Sequence, residues 1–279
     1  SLPDPILTVS AFGRMMESSM GAEEAVFSLM QMFPWFGTLE ARENVANLMA
    51  EAQFQNYLDV RNKLFFEVKS AYAQLYEVEK TIGLQEENLE ILDSYKDLAL
   101  SQFSSGSGQM VDVVRIDIQK EGALTAIEVL RDQLEPLKTD FNLLLNRGPD
   151  LPVEIADTLV FTGSEIQLDP VLKEHPSVQQ FESQKRAYEA QQELAKKEGM
   201  PMLGLGLDYT IMSKTPMGMP EMNGDDAIMP MLSVSLPIFR KKYKAMRKEA
   251  EFMATAMEQE GQRQQNELRS QFEMAQFEL

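Results

Sequence analysis

Methionines in one loop are the residues whose type and spacing most clearly suggest chemistry. Six of them lie between residues 212 and 231: Met212, Met217, Met219, Met222, Met229 and Met231. Thioether sulfur is a ligand for soft metal ions such as Cu(I). Methionine also fills apolar space, and the whole chain is rich in it, with 19 in all. We predict no bound metal, and keep Met217, Met219 and Met222 as metal-ligand candidates beside the interpretation of the loop as apolar filling.

Other reactive side chains are few. The sequence has no cysteine and one histidine. That histidine, His175, precedes Pro176, a residue type that suits the first position of a helix, so we predict that His175 caps or bounds a helix. The sequence has no nucleophile elbow, phosphate-binding loop or HExxH motif. We therefore expect no enzyme activity and no cofactor.

A charged pair follows a short glycine-rich segment. Gly106 and Gly108 favour a tight reversal of the chain, because glycine adopts backbone angles that other residues avoid. Asp112 and Arg115 come next, and residues three apart on a helix can pair. An acidic side chain near a helix N-terminus is also favourable with no further role. The pair is therefore either a functional feature of the turn or a solvated helix start.

Two series of apolar residues flank this turn, each with spacings of three and four. The first is Leu64, Val68, Ala71, Leu75, Val78, Ile82, Gln85, Leu89, Leu92, Lys96, Ala99 and Phe103. The second is Val113, Ile116, Lys120, Ala123, Ile127, Leu130, Leu134, Leu137, Phe141 and Leu144. Heptads of this kind specify coiled-coil packing. We predict a long antiparallel helical hairpin, beginning with Thr38 as the N-cap and kinked at Pro136.

A strand unit occurs twice, with Pro34 and Pro237 at equivalent places. In the first copy, Leu7 and Val9 alternate with polar residues, a polar loop covers residues 14–24, and a second apolar strand ends at Pro34. In the second copy, alternating strands begin near residue 202 and end at Pro237. Aromatic residues follow each proline: Trp35 and Phe36 in the first copy, Phe239 in the second.

These patterns predict a mainly α-helical fold with β-hairpins. We divide the chain into a first hairpin (1–36), the long helical hairpin (37–148), an irregular strap (149–175), a returning helix (176–200), a second hairpin (201–237) and the start of a second long helix (238–279). The last helix has no C-cap at Leu279, so we expect a fragment that lacks the end of the second repeat. The net charge of −18 argues against nucleic acid as a partner.

Several segments together resemble TolC-type outer-membrane efflux proteins. They are FPWFG, LPIFR, the turn FSSGSGQMVDVV, the helix end NLLLNRG and the helix start HPSV. The resemblance implies a homotrimer in the bacterial outer membrane, with four strands per chain in a 12-stranded barrel and helices that form a periplasmic tunnel. Such proteins are the passive exit ducts of tripartite efflux pumps and type I secretion systems, and work with a periplasmic adaptor and an inner-membrane pump.

The resemblance also implies roles for particular residues. Asp112 stands where the family has an acidic residue near the closed end of the tunnel, so Gly106, Gly108, Asp112 and Arg115 are expected at the gate. Pro34, Trp35, Phe36, Pro237 and Phe239 are expected at the membrane interface, in contact with outer-membrane lipid. Strands that end in aromatic residues fit a membrane barrel. The alternative is a soluble coiled-coil scaffold whose strands form a small sheet.

Overall fold

The computed structural model describes residues 2–18, 21–160, 168–216 and 223–278. The elements in chain order are β1 (Ile6–Ser18), β2 (Gly21–Phe33), α1 (Thr38–Ser104), α2 (Met110–Leu144), α3 (Leu168–Glu174), α4 (Pro176–Glu198), β3 (Met202–Ser213), β4 (Ala227–Ser235) and α5 (Arg240–Glu278). The predicted fold class, mainly helical with β-hairpins, is confirmed. Across the described ranges, no helix has both the length and the apolarity that crossing a membrane requires.

The chain divides into two compact units. One contains Ser1–Tyr57 and Gln167–Leu279, and the other contains Leu58–Ile166. The first therefore holds the sheet, the beginning of α1 and helices α3 to α5, while the second holds the rest of α1 with α2.

The second unit is an antiparallel helical hairpin packed along the predicted heptads. Its core consists of Ala71, Leu75, Ile82, Ile127, Leu134 and Phe141. All six belong to the two predicted series, and Leu75 is fully buried. The first and last members of the α1 series, Leu64 and Phe103, are 40% and 46% exposed. Heptad spacing thus identified the residues that pack between the two helices, but the packed region is shorter than the predicted heptad series.

The segment after α2 is tied to the hairpin by hydrogen bonds. The Asn142 side chain is fully buried, and its Nδ2 donates to the carbonyls of Pro149 and Leu151, each at 2.8 Å. Farther on, the backbone N–H of Ala156 donates to the Tyr72 hydroxyl at 2.8 Å. Residues 149–160 have no helix or strand, as predicted for the strap.

Two features of the helices differ from expectation. The strap was expected to be irregular to residue 175, but α3 occupies Leu168–Glu174, where Pro170 lies in the first turn that tolerates proline and Leu172 is buried. Pro136 lies inside α2 without ending it, since α2 continues to Leu144. The kink at Pro136 stays a prediction.

In the first unit, α4 packs against both the beginning of α1 and α5. Glu198 pairs with Arg42 and Arg186 pairs with Glu51, each at 2.9 Å, which ties α4 to α1. On its other side, a Cβ built on Gly261 of α5 would contact Phe181 of α4 at 3.5 Å. Small residues fill the space between the helices: Ser183, Ala187, Ala195 and Ala52 are almost completely buried. Close helix approach here depends on short side chains.

Of the two predicted N-cap residues, one is confirmed and the other is wrong. His175 is the N-cap of α4, and its Nδ1 accepts from the backbone N–H of Ser177 at 3.3 Å, which confirms the capping interpretation. Thr38 was expected to cap α1, but α1 begins at Thr38 itself, and its buried Oγ1 has no hydrogen-bond partner among the described residues. The carbonyl of Gly37 instead accepts from the N–H of Ala41 at 3.0 Å. Gly37 takes this place because its φ of +77° suits glycine.

The four strands form one antiparallel sheet in the order β1-β2-β3-β4. Strands β1 and β2 are longer than predicted and reach Ser18 and Gly21, so the expected polar loop at residues 14–24 is wrong. Ladder hydrogen bonds join backbone groups, so a strand can continue through residues with polar side chains. The alternation of apolar residues does not reveal such a continuation. The register places β2 beside β3 although about 170 residues separate them.

Candidate functional site

One face of the sheet is apolar and exposed. Residues directly opposite one another in a ladder point to the same face, so the register assigns each side chain to one of the two faces. The apolar face carries Leu7, Val9, Phe27, Leu29, Leu203, Leu205, Leu207, Tyr209, Ile228, Leu232 and Val234. Every one of these is at least 37% exposed, and Leu232 reaches 73%. An exposed apolar surface of this extent is typical of a face that meets a lipid or a partner.

The opposite face carries small, polar and methionine side chains. Its central rows are Met32–Gly204–Ser233, Met30–Gly206–Met231 and Ser28–Asp208–Met229. Thr8 continues the third row on β1, beside Ser28. The two faces thus differ sharply in polarity, which the sequence predicted for the first copy of the unit from the alternation at Leu7 and Val9.

Methionines cover the glycines of this polar face. A Cβ built on Gly204 would lie 2.6 Å from Sδ of Met32, and one on Gly206 would lie 3.3 Å from Cε of Met231 and 3.5 Å from Cε of Met30. The Ser233 hydroxyl lies 3.8 Å from Sδ of both Met30 and Met32. The glycines of β3 therefore leave room in which side chains from β2 and β4 converge.

The predicted interface residues lie where the strands end and the helices begin. Trp35 is 38% exposed, Phe36 78% and Phe239 85%, and the Trp35 and Phe36 rings meet edge to face at 5.8 Å between centroids. Pro34 and Pro237 both follow the last residues of strands, at the same end of the sheet, because Phe33 pairs with Leu203 and Ser235 with Met202. A contact between these residues and lipid stays a proposal.

A basic cluster begins α5 beside these aromatics. It consists of Arg240, Lys241, Lys242, Lys244, Arg247 and Lys248. Cations are unfavourable near a helix N-terminus, whose partial charge is positive. They are also concentrated here within a chain of net charge −18. A role of this cluster at an anionic surface stays a proposal.

The turn between α1 and α2 is built by glycine in two different ways. Gly106 has φ +77°, which confirms the positive angle expected of a tight reversal. Gly108 has no positive φ, and the expectation that it provides one is wrong. It is needed for space instead: a Cβ there would lie 2.9 Å from Cβ of Gln102, whose carbonyl accepts from the Gly108 N–H at 3.0 Å.

Asp112 lies in the first turn of α2 and Arg115 follows it three residues later, as expected. Nη1 of Arg115 is 3.7 Å from Oδ1 of Asp112, and the two side chains are 73% and 53% exposed. Exposed pairs at this distance contribute little to stability. The position of Asp112 leaves it open to solvent or to a partner, and the gate role stays a proposal.

The metal-ligand candidates Met217, Met219 and Met222 lie outside the described residues. Among residues that the structure does describe, no group of three or more His, Cys, Asp or Glu side chains is placed to hold a metal ion. The loop ends that are described hold each other: Asn223 Nδ2 donates to the Thr215 carbonyl at 2.8 Å, and Asn223 Oδ1 accepts from the Thr215 N–H at 2.9 Å.

Met212, Met229 and Met231 were expected in a loop but lie on β3 and β4, and Met30 and Met32 were not among the predicted metal-ligand candidates. Met30 and Met32 are two residues apart on β2, the spacing that places side chains on one face of a strand. That spacing was visible in the sequence. The proximity of these two residues to Met231 was not visible in the sequence, because it depends on strand pairing across a separation of about 200 residues.

Solved structures of outer-membrane channels share this fold. The outer membrane protein VceC of Vibrio cholerae is 16% identical, with a TM-score of 0.66 over 96% of this chain and 67% of VceC. CusC, a protein that forms a transmembrane channel, is 17% identical, with a TM-score of 0.71 over 95% of this chain and 64% of CusC. The MtrE outer membrane channel of Neisseria gonorrhoeae, in its open state, is 17% identical, with a TM-score of 0.65 over 96% of this chain and 62% of MtrE. No protein-family model and no curated protein sequence matches the chain.

The chain thus has the fold of these channels and spans between 62% and 67% of their length. The resemblance to TolC-type proteins is confirmed for the fold.

Proposed function

We propose that this chain, which has the fold of TolC-type outer-membrane channels, contributes strands to a barrel in the bacterial outer membrane and helices to a tunnel in the periplasm. Substrates would pass through it passively, without catalysis, as the exit of a tripartite efflux or type I secretion system. The observation that carries the proposal is the two-faced sheet, whose apolar face is exposed over all four strands.

The apolar face fits lipid better than water. Leu205, Leu207 and Leu232 are 56%, 46% and 73% exposed. Outward apolar and inward polar side chains alternate along the strands of membrane barrels. The polar face, with Ser28, Asp208 and Ser233, would then line the lumen. A soluble scaffold with a small sheet would instead be expected to cover or avoid such a face.

The edges of the sheet favour assembly from several copies. Strands β1 and β4 are the two edges, and each has one neighbour in the described sheet. An exposed strand edge pairs readily with another chain, and a membrane barrel tolerates no open edge. Because the four strands alternate in direction, β4 of one copy can pair antiparallel with β1 of the next. A homotrimer would close a barrel of twelve strands.

The end of the sheet fits a membrane interface. Trp35, Phe36 and Phe239 project there, next to the basic cluster of α5. Aromatic side chains sit at head-group level, and lysine and arginine attract anionic lipids. Gly106, Gly108, Asp112 and Arg115 lie at the turn between α1 and α2, and we propose that this turn contacts a periplasmic adaptor and is opened by an inner-membrane pump.

Disulfide cross-linking tests this assembly, because the chain contains no cysteine. Leu7→Cys on β1 would be combined in turn with Ile228→Cys, Leu232→Cys or Val234→Cys on β4. Within one sheet, β1 and β4 are three strand spacings apart, about 14 Å, whereas a disulfide needs Cα atoms within about 7 Å. A bond between these positions must therefore join two copies.

The expected result is a cross-linked species of trimer mass in detergent-extracted outer membranes from at least one pair. The control has one cysteine on β1 and one on β3, Leu7→Cys with Leu205→Cys, and should give monomer. Monomer alone from every β1–β4 pair, or recovery of a folded trimer in plain buffer without detergent, would contradict the channel.

A further inference from the structure

We infer that the polar face of the sheet contains a binding site for a soft monovalent cation, Cu(I) or Ag(I), formed by the thioethers of Met30, Met32 and Met231, with the carboxylate of Asp208 farther along the same face as the balancing charge. Of its three methionines, only Met231 belongs to the set considered from the sequence, and it lies on β4 rather than in a loop. It concerns binding by this chain and does not depend on barrel closure or export.

Convergence of the thioethers is the first observation. Sδ of Met30 and Sδ of Met32 are both 3.8 Å from the Ser233 hydroxyl oxygen, so the two sulfurs lie within twice that distance of each other. The methyl ends of Met30 and Met231 approach the same point above Gly206, at 3.5 and 3.3 Å from a Cβ built there. Three thioethers from two strands thus surround the glycines of the strand between them.

The glycines make this arrangement possible. Any side chain at Gly204 would occupy the position of the Ser233 hydroxyl and come 2.6 Å from Sδ of Met32. Methionine side chains are unbranched and adjust readily, so the sulfurs can close on an ion without moving the backbone. Thioether sulfur is a soft ligand that selects Cu(I) over harder divalent ions.

A carboxylate supplies the second, independent observation. Asp208 lies on the same face, two residues beyond Gly206 on β3, in the row with Ser28 and Met229. Its Oδ1 is buried and has no hydrogen-bond partner among the described residues. A buried carboxylate oxygen without a partner is costly. A cation held by the neighbouring thioethers would offset that cost, and the carboxylate of Asp208 would balance the charge of the cation.

The test is titration of the purified full chain in detergent micelles with Ag(I), which avoids redox chemistry, while the methionine methyl groups are observed by NMR after ¹³C labelling. Competition with a chromophoric Cu(I) chelator, without oxygen and with a reductant present, gives the affinity. The site variant is Met30→Leu with Met32→Leu and Met231→Leu. The matched control is Met217→Leu with Met219→Leu and Met222→Leu, which removes the same number of thioethers from the loop.

The structure predicts that Ag(I) shifts the methyl resonances of Met30, Met32 and Met231, that the site variant loses this binding and that the loop variant keeps it. Asp208→Asn should weaken binding about 10- to 100-fold, the usual effect of removing a supporting polar partner of a metal ligand. Unchanged affinity in the site variant, loss confined to the loop variant, or methyl shifts only at other methionines would overturn the site. If the triple variant fails to fold, Met32→Leu and Asp208→Asn alone decide the same question.

Discussion

Nζ of Lys96 on α1 lies 2.6 Å from Oδ1 of Asp117 on α2, although Lys96 occupies a core position of the heptad pattern. Lys120 of α2, also at a core position, makes the reciprocal pair with Asp93 of α1. A polar residue in a heptad seam lowers stability but specifies register, since a slip of the helices would separate both pairs. The two lysines that interrupted the apolar series therefore fix the alignment of the hairpin near its turn.

The Lys96 pair predicts a loss of stability in alkali. The hydrogen bond that Lys96 donates to Asp117, followed by the charges of Asp117, Asp93 and Asp97, raises the pKa of Lys96 above its usual value of 10.5. The stabilisation is therefore complete below pH 10.5 and disappears as pH rises through the higher pKa of the folded state. Thermal unfolding by circular dichroism should show this decline in the wild type and a smaller one in Lys96→Met. Coincident pH profiles for the two proteins would contradict it.

Leu75 should be the most costly leucine of α1 to truncate. It is fully buried in the hairpin core, so Leu75→Ala removes packed atoms and leaves a cavity, at a cost of about 2–5 kcal/mol in the free energy of unfolding. Leu84 on the same helix is 65% exposed, and Leu84→Ala should change stability by no more than about 0.5 kcal/mol. Denaturant unfolding measures both. Equal losses would show that the heptad seam is not the packed interface.

Two glycines of the hairpin should respond oppositely to alanine. Gly106→Ala forces a side chain into φ +77° and should cost about 1–2 kcal/mol. Gly122 lies within α2 with no atom within 4 Å of an added Cβ, so Gly122→Ala should stabilise by about 0.5–1 kcal/mol. Thermal unfolding of the two variants gives the sign of each change. A stabilising Gly106→Ala would mean that the turn has another conformation.

The sequence predicted best those features that depend on local spacing. Leu75 and Ile127 were identified as core residues from heptads alone, and His175 as a helix cap from its place before Pro176. Gly108 was misread because its role depends on the approach of Gln102, which only the folded turn reveals. Thr38 was expected to cap α1, but a single glycine, Gly37, moved the cap by one residue.

The candidate site on the sheet could not be predicted, because it requires the register between distant strands. Met30 and Met231 share a face only since both pair with Gly206. Alternation within each strand defines two faces but does not say which faces of separate hairpins coincide. For the same reason, the buried oxygen of Asp208 had no signal in the sequence.

The most direct test of the proposed channel compares Val9→Arg with Ser10→Arg. The two residues are adjacent on β1, both are exposed, and they point to opposite faces of the sheet. Arginine on the lipid face of a membrane barrel costs about 2–4 kcal/mol at mid-membrane, whereas substitutions on the lumen face are tolerated. The measurement is the amount of folded chain in the outer-membrane fraction of cells that express each variant. A sheet that faces lipid through Val9 predicts a strong loss for Val9→Arg and near wild-type amounts for Ser10→Arg. Equal amounts of the two variants, or a larger loss for Ser10→Arg, would contradict a sheet that faces lipid through Val9.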